Sequence, residues 1–125
     1  MQLYKEELLD HYRFPRHKGR LIQADFSSRQ HNPSCGDQVC FDVKIYNGLI
    51  AEIAFEGAGC VISQASASMI AVLVKDKPIA YCINLADADV LHLIGMDLGP
   101  TRLKCALLAL FALQEGVRSF IASKE

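Results

Sequence analysis

The chain has 125 residues, 51% of them hydrophobic and 22% charged, with a formal net charge of −1. That composition suits one domain over residues 1–125 with a core of its own, and the near-neutral charge excludes the basic footprint of a nucleic-acid binder. The longest wholly apolar run, Cys105 to Leu113, falls well short of the roughly 18 residues a membrane span needs.

The opening residues Met1-Gln2-Leu3-Tyr4-Lys5-Glu6-Glu7 are charged and lack the apolar stretch of a secretory signal, so a cytoplasmic location is expected. Leu3, Tyr4, Leu8, Leu9 and Tyr12 recur among charges and predict a short amphipathic helix, which Pro15 and Gly19 break. A basic stretch follows, with Arg13, Arg16, Lys18 and Arg20 beside His11 and His17. It reads as solvated surface, with a protein-docking patch as the alternative. Leu21 to Ser27 is weakly strand-like. Val39, Phe41, Val43 and Ile45 alternate with Cys40, Asp42 and Lys44, as a half-buried strand requires. Asn47-Gly48 is a strong hairpin signal because both residues tolerate positive φ. The alternation of Leu49, Ala51, Ile53 and Phe55 then supplies the partner strand.

Gly57-Ala58-Gly59 ends the sheet, and 60–74 reads as a closely packed helix rich in small residues. Residues 79–94 predict one or two short helices with a polar joint at Ala86-Asp87-Ala88-Asp89. Residues 95–100 predict a loop, and 101–123 a long helix N-capped by Thr101. Its core stripe is expected to comprise Leu103, Leu107, Leu110, Phe111, Val117 and Ile121. The fold class is α+β: a small antiparallel sheet of about three strands covered on one face by helices.

Five cysteines is an odd number, and a reducing compartment disfavours a disulfide framework, so metal or redox chemistry is open to some of them. Cys35 lies in the turn Asn32-Pro33-Ser34-Cys35-Gly36-Asp37, Cys60 follows Gly57-Ala58-Gly59, and Cys105 follows Gly99-Pro100 in the first turn expected of the last helix. At loop edges and helix starts, backbone amides favour a thiolate. Lys104 adds positive charge beside Cys105. Asp37 stands two residues from Cys35, so in extended chain the two point the same way. Three thiolates and one carboxylate oxygen make a tetrahedral Zn²⁺ site, and the same thiolates suit iron–sulfur chemistry. Spacing alone leaves buried, inert cysteines as an alternative.

The segments Asn32-Pro33-Ser34-Cys35-Gly36-Asp37, Gly59-Cys60 with Ser63, Ala65, Ser66 and Ser68, and Lys104-Cys105 together resemble the IscU/SufU/NifU-type iron–sulfur assembly family. Asp10-His11-Tyr12-Arg13-Phe14-Pro15-Arg16 is similar to that family's opening segment, so the resemblance covers nearly the whole chain. It implies a shared site at Cys35, Asp37, Cys60 and Cys105 that holds Zn²⁺ or a 2Fe–2S cluster. It also implies a cysteine desulfurase as sulfur donor and apo-proteins as acceptors. Lys104 stands where IscU-type members carry histidine, and Arg102-x-Lys104-Cys105 is similar to the SufU-type pattern. The extra segment of SufU-type members between the second and third cysteines has no room here. Gly99-Pro100-Thr101-Arg102 replaces the Leu-Pro-Pro-Val-Lys loop of IscU-type members. Scaffold and zinc-dependent sulfur acceptor are therefore both expectations.

In this reading Cys105 or Cys35 takes a persulfide sulfur, while Lys104 or Arg102 steadies the anion. A structural zinc domain without transfer activity is the alternative. Cys40 and Cys82 are expected to be ordinary packed cysteines, and His31, four residues before Cys35, a group outside the ligand set. Ser63, Ser66 and Ser68 are expected to let helices pack closely. A monomer or weak homodimer is expected, with no nucleic-acid or membrane partner.

Overall fold

A computed structural model describes residues 5–34 and 36–124. The elements are α1 (Glu6–Arg13), β1 (Phe26–Asn32), β2 (Asp37–Tyr46), β3 (Leu49–Ala58), α2 (Val61–Val74), α3 (Ile79–Asn84), α4 (Asp87–Ile94) and α5 (Pro100–Lys124). The strands form one antiparallel sheet in the order β1-β2-β3. Asn47 and Gly48 both take positive φ, 53° and 74°, which matches the right-handed twist of the hairpin they close.

Alternation divides the sheet into two faces. Val39, Phe41, Val43, Ile53 and Phe55 are buried beneath the helices. α2 is buried on nearly every side, from Ile62 to Val74, because α1, α5 and the sheet all pack on it. Its small residues permit that approach. α5 crosses β1 closely: a Cβ at Gly116 would lie 2.3 Å from the Phe26 ring. By length and hydropathy alone α5 could cross a membrane, but 61% of its apolar window is buried within this fold.

The serines of α2 do more than save space. Ser66 donates its hydroxyl to the Ala106 carbonyl at 2.7 Å, fastening α2 to α5. Ser68 Oγ lies 2.8 Å from His11 Nδ1 and accepts the Arg16 N–H at 2.9 Å, fastening α1 and the basic stretch to α2. Gln114 donates to the carbonyls of Cys82 and Leu85, at 3.1 and 2.8 Å. It thereby satisfies acceptors that the short helix α3 leaves open.

Three sequence expectations are corrected. The first strand is Phe26–Asn32, not 21–27. Residues before it turn instead: Gln23 has φ 61°, and the Leu21 N–H is taken by Asp42 Oδ2 at 3.0 Å. α5 starts at Pro100, whose fixed φ suits a first helical position. The Gly99 carbonyl, not Thr101, stands at the cap and accepts the Leu103 N–H at 2.9 Å. Phe111 and Ile121 are 44% and 36% exposed, so they leave the core stripe that Leu107, Leu110 and Val117 share. Of the first helix, residues 1–4 lie outside the described residues.

Candidate metal centre

Asp37 opens β2 on the same face as Val39 and Phe41, so its carboxylate points under the helical layer, where it is 1% exposed. Cys60 is the N-cap of α2, and its Sγ accepts the Ser63 N–H at 3.4 Å. That amide is one of the donors a helix start leaves unpaired. Cys105 sits in the second turn of α5 rather than the first and is 4% exposed, against α2 and the sheet.

These three residues, from three separate elements, offer ligand atoms that lie within 4.8 Å of one another. Cys35, two residues before Asp37, lies outside the described residues. Asp37 is tied to the Cys60 turn by both oxygens: the Cys60 N–H donates to Oδ1 at 2.8 Å, and the Cys60 thiol lies 3.5 Å from Oδ2. A tetrahedral ion with sulfur at about 2.3 Å and oxygen at about 2.0–2.2 Å holds sulfur and oxygen about 3.6 Å apart. The spacing of Cys60 Sγ and Asp37 Oδ2 meets that requirement, and the soft donors suit zinc or iron–sulfur chemistry.

Gly59 explains how the carboxylate fits. Its φ is 133°, and a Cβ there would lie 2.0 Å from Asp37 Oδ1. At Gly57 a Cβ would lie 2.2 Å from the Gln38 carbonyl oxygen. The Gly-Ala-Gly stretch therefore does more than end a strand; it lets β3 run flush against the start of β2 that carries Asp37. The sequence carried that signal, but only the fold shows which side chain needs the room.

Arg102 and Lys104 are exposed near the start of α5. Adjacent helical residues diverge by about 100°, so Lys104 faces solvent while Cys105 faces inward. The cysteines set aside lie elsewhere. Cys82 is fully buried in α3, and burial pushes its thiol pKa up to about 11. Cys40 is on the opposite face of the sheet, in register between Arg29 and Glu56. His31 is exposed and pairs with Gln38, which puts it on the face opposite Asp37. A cleft of about 420 Å³ opens beside the centre, lined by His11, Tyr12, Arg13, Lys18, the Gly57–Gly59 turn and Gln64.

Known proteins resemble the chain over nearly its whole length. Residues 3–125 match the family model described as NifU-like N terminal domain. A protein named zinc-dependent sulfurtransferase SufU, from Bacillus subtilis (strain 168), is 33% identical over 92% of this chain and 89% of its own length. A protein named iron–sulfur cluster assembly scaffold protein IscU, from Aquifex aeolicus (strain VF5), is 34% identical over 94% of this chain and 76% of its own. A crystal structure of a protein described only as hypothetical superposes with a TM-score of 0.77 at 32% identity, covering 90% of this chain and 94% of that one. The N-terminal part of a nitrogen-fixing NifU-like protein from Brucella abortus gives 0.76 at 22% identity, covering 97% and 95%, and bears on fold alone.

Proposed function

The chain belongs to the NifU-like N-terminal domain family, and from that premise we propose that it receives sulfur from a cysteine desulfurase and holds a metal or nascent iron–sulfur cluster for delivery to acceptor apo-proteins. The observation that carries this reading is the meeting of Asp37, Cys60 and Cys105 within 4.8 Å. Relatives named as a zinc-dependent sulfurtransferase and as a cluster assembly scaffold support it.

Cys35, Asp37, Cys60 and Cys105 are the residues that would hold Zn²⁺ or a 2Fe–2S cluster. A bound zinc ion would supply charge that keeps the sulfurs deprotonated. Sulfur arrives by exchange: a thiolate of this set attacks the outer sulfur of the donor's persulfide, the donor's S–S bond breaks, its thiolate leaves, and a persulfide forms on this chain. Cys105 and Cys35 remain candidate acceptors. Cys60 joins them, because it is exposed while Cys105 is buried. Arg102 and Lys104 supply positive charge on the α5 side. Asp37 is the one hard donor in the set, and its Oδ2 is the oxygen left for the ion once Oδ1 is anchored on the Cys60 amide. The buried hydrophobic cluster runs through the sheet and all five helices, which favours this reading over a structural zinc domain whose fold depends on the ion.

Anaerobic purification with metal and acid-labile sulfide analysis tests the proposal, repeated after incubation with iron, a cysteine desulfurase and cysteine. Wild type should gain sulfur and metal, and Cys60→Ser and Cys105→Ser should not. A wild-type chain that takes up neither would overturn the proposal.

A further inference from the structure

Gln64 is on the first turn of α2, outside every ligand set considered above. Its Nε2 donates to two acceptors, the Gln38 carbonyl at 3.3 Å and Ser63 Oγ at 3.0 Å. Ser63 in turn donates its hydroxyl to the Cys60 carbonyl at 3.1 Å and its N–H to Cys60 Sγ at 3.4 Å. Gln38 is the residue after Asp37. One side-chain amide thus joins the strand that carries the carboxylate to the turn that carries the thiol.

The glycine at 57 makes this crossing possible. A Cβ there would lie 2.2 Å from the Gln38 carbonyl oxygen and 2.9 Å from Gln64 Oε1. The Asp37–Cys60 contact itself pairs the thiol, 3.5 Å from Oδ2, with the backbone N–H, 2.8 Å from Oδ1. That contact sits at the junction of a strand start and a helix start, where chain ends fray most easily.

The geometry points to Gln64 as a positioning residue for the metal centre: a brace that fixes the span between Asp37 and Cys60 before any ion binds. It acts through Gln38 and Ser63 and touches neither ligand atom itself. Groups that orient metal ligands from behind commonly change metal affinity 10–100-fold when removed. This inference rests on the metal-centre reading above, but the brace also has a consequence in the metal-free chain.

The test compares wild type with Gln64→Leu, which keeps the bulk and removes the donor; Gln64→Met serves if Leu disturbs folding. In the metal-free protein, hydrogen exchange at the Cys60 amide should quicken about tenfold or more, since the Asp37 bond opens more often. The melting temperature should hardly move. With Co²⁺ as the probe, the variant should bind about 10–100-fold more weakly, with an altered d–d spectrum. Wild-type exchange at Cys60 in the variant would overturn the brace. If wild type itself takes up no Co²⁺, the metal-centre reading fails, and the Cys60 amide still decides for or against the brace.

Discussion

Asp37 and Cys60 are joined twice, by the Cys60 N–H to Oδ1 at 2.8 Å and by sulfur to Oδ2 at 3.5 Å. The carboxylate organises the helix start, and in the proposed centre it is also the hard donor. Replacing it separates these roles. In Asp37→Ala three thiolates remain, and they carry most of the affinity for a soft or borderline metal. Metal should stay bound, stability should fall by about 1.5–3 kcal/mol from the lost hydrogen bond to a charged group, and timed transfer to an acceptor protein should slow. Loss of metal together with a far larger drop in melting temperature would indicate a structural site instead.

Cys40 and Cys82 stand apart from the centre, and their environments predict how they react. Cys82 is fully buried, with its thiol pKa raised to about 11 by that burial, so little thiolate exists at neutral pH. In the metal-free protein an alkylating agent should label Cys60 before Cys82, as peptide mapping would show. Cys40→Ser and Cys82→Ser should keep wild-type metal content wherever the variant folds. Metal loss in a folded variant would mean that the ligand set is wrong.

His11 links pH to the docking of α1. Burial first, and the nearby Arg16 charge second, lower its pKa below the usual 6.5. The folded state then binds fewer protons than the unfolded chain as pH falls from about 6.5 toward the lowered value. The stability due to neutral His11 is fully present above that window and is lost on acidification through it. Urea midpoints measured from pH 7.5 to 5 should fall more steeply for wild type than for His11→Gln. Equal slopes would remove His11 from the account.

Asp42 is buried on the other face of the sheet. Burial alone would raise its pKa, but hydrogen bonds from Arg20, Ser27 and the Leu21 N–H outweigh that and hold it below the usual value. Its contribution is present above the unfolded-state pKa and is lost as pH falls through the lowered folded one. Asp42→Ala should cost about 2 kcal/mol at pH 7, read by denaturant unfolding. The cost should shrink in acid, where wild type loses the same interaction.

The parts of this fold that were legible in the sequence are those where one local signal decides. Asn47-Gly48 needs positive φ at both residues, and the flanking alternation sets the register, so β2 and β3 could be read directly. β1 could not, because Phe26-Ser27-Ser28-Arg29-Gln30-His31-Asn32 has no apolar alternation. It is a strand because β2 pairs with it and α5 covers it. Phe111 and Ile121 fall outside the core for a related reason: α5 meets α2 and the sheet over only part of its length, and which turns are covered depends on elements far away in sequence. Motif residues named Asp37, Cys60 and Cys105, and the fold brings them together. The Cys60 amide on Asp37, the clearance at Gly59 and the Gln64 brace all depend on β3 lying against the start of β2, which no local pattern encodes.

The most direct test of the central claim is zinc K-edge X-ray absorption on the zinc-loaded wild-type protein, with Asp37→Ala alongside. The claim predicts three sulfur neighbours at about 2.3 Å and one oxygen at about 2.0–2.2 Å, with the protein-derived oxygen lost in Asp37→Ala and the three sulfurs kept. A shell of nitrogen and oxygen alone, or a sulfur count unchanged in Cys60→Ser or Cys105→Ser, would contradict it.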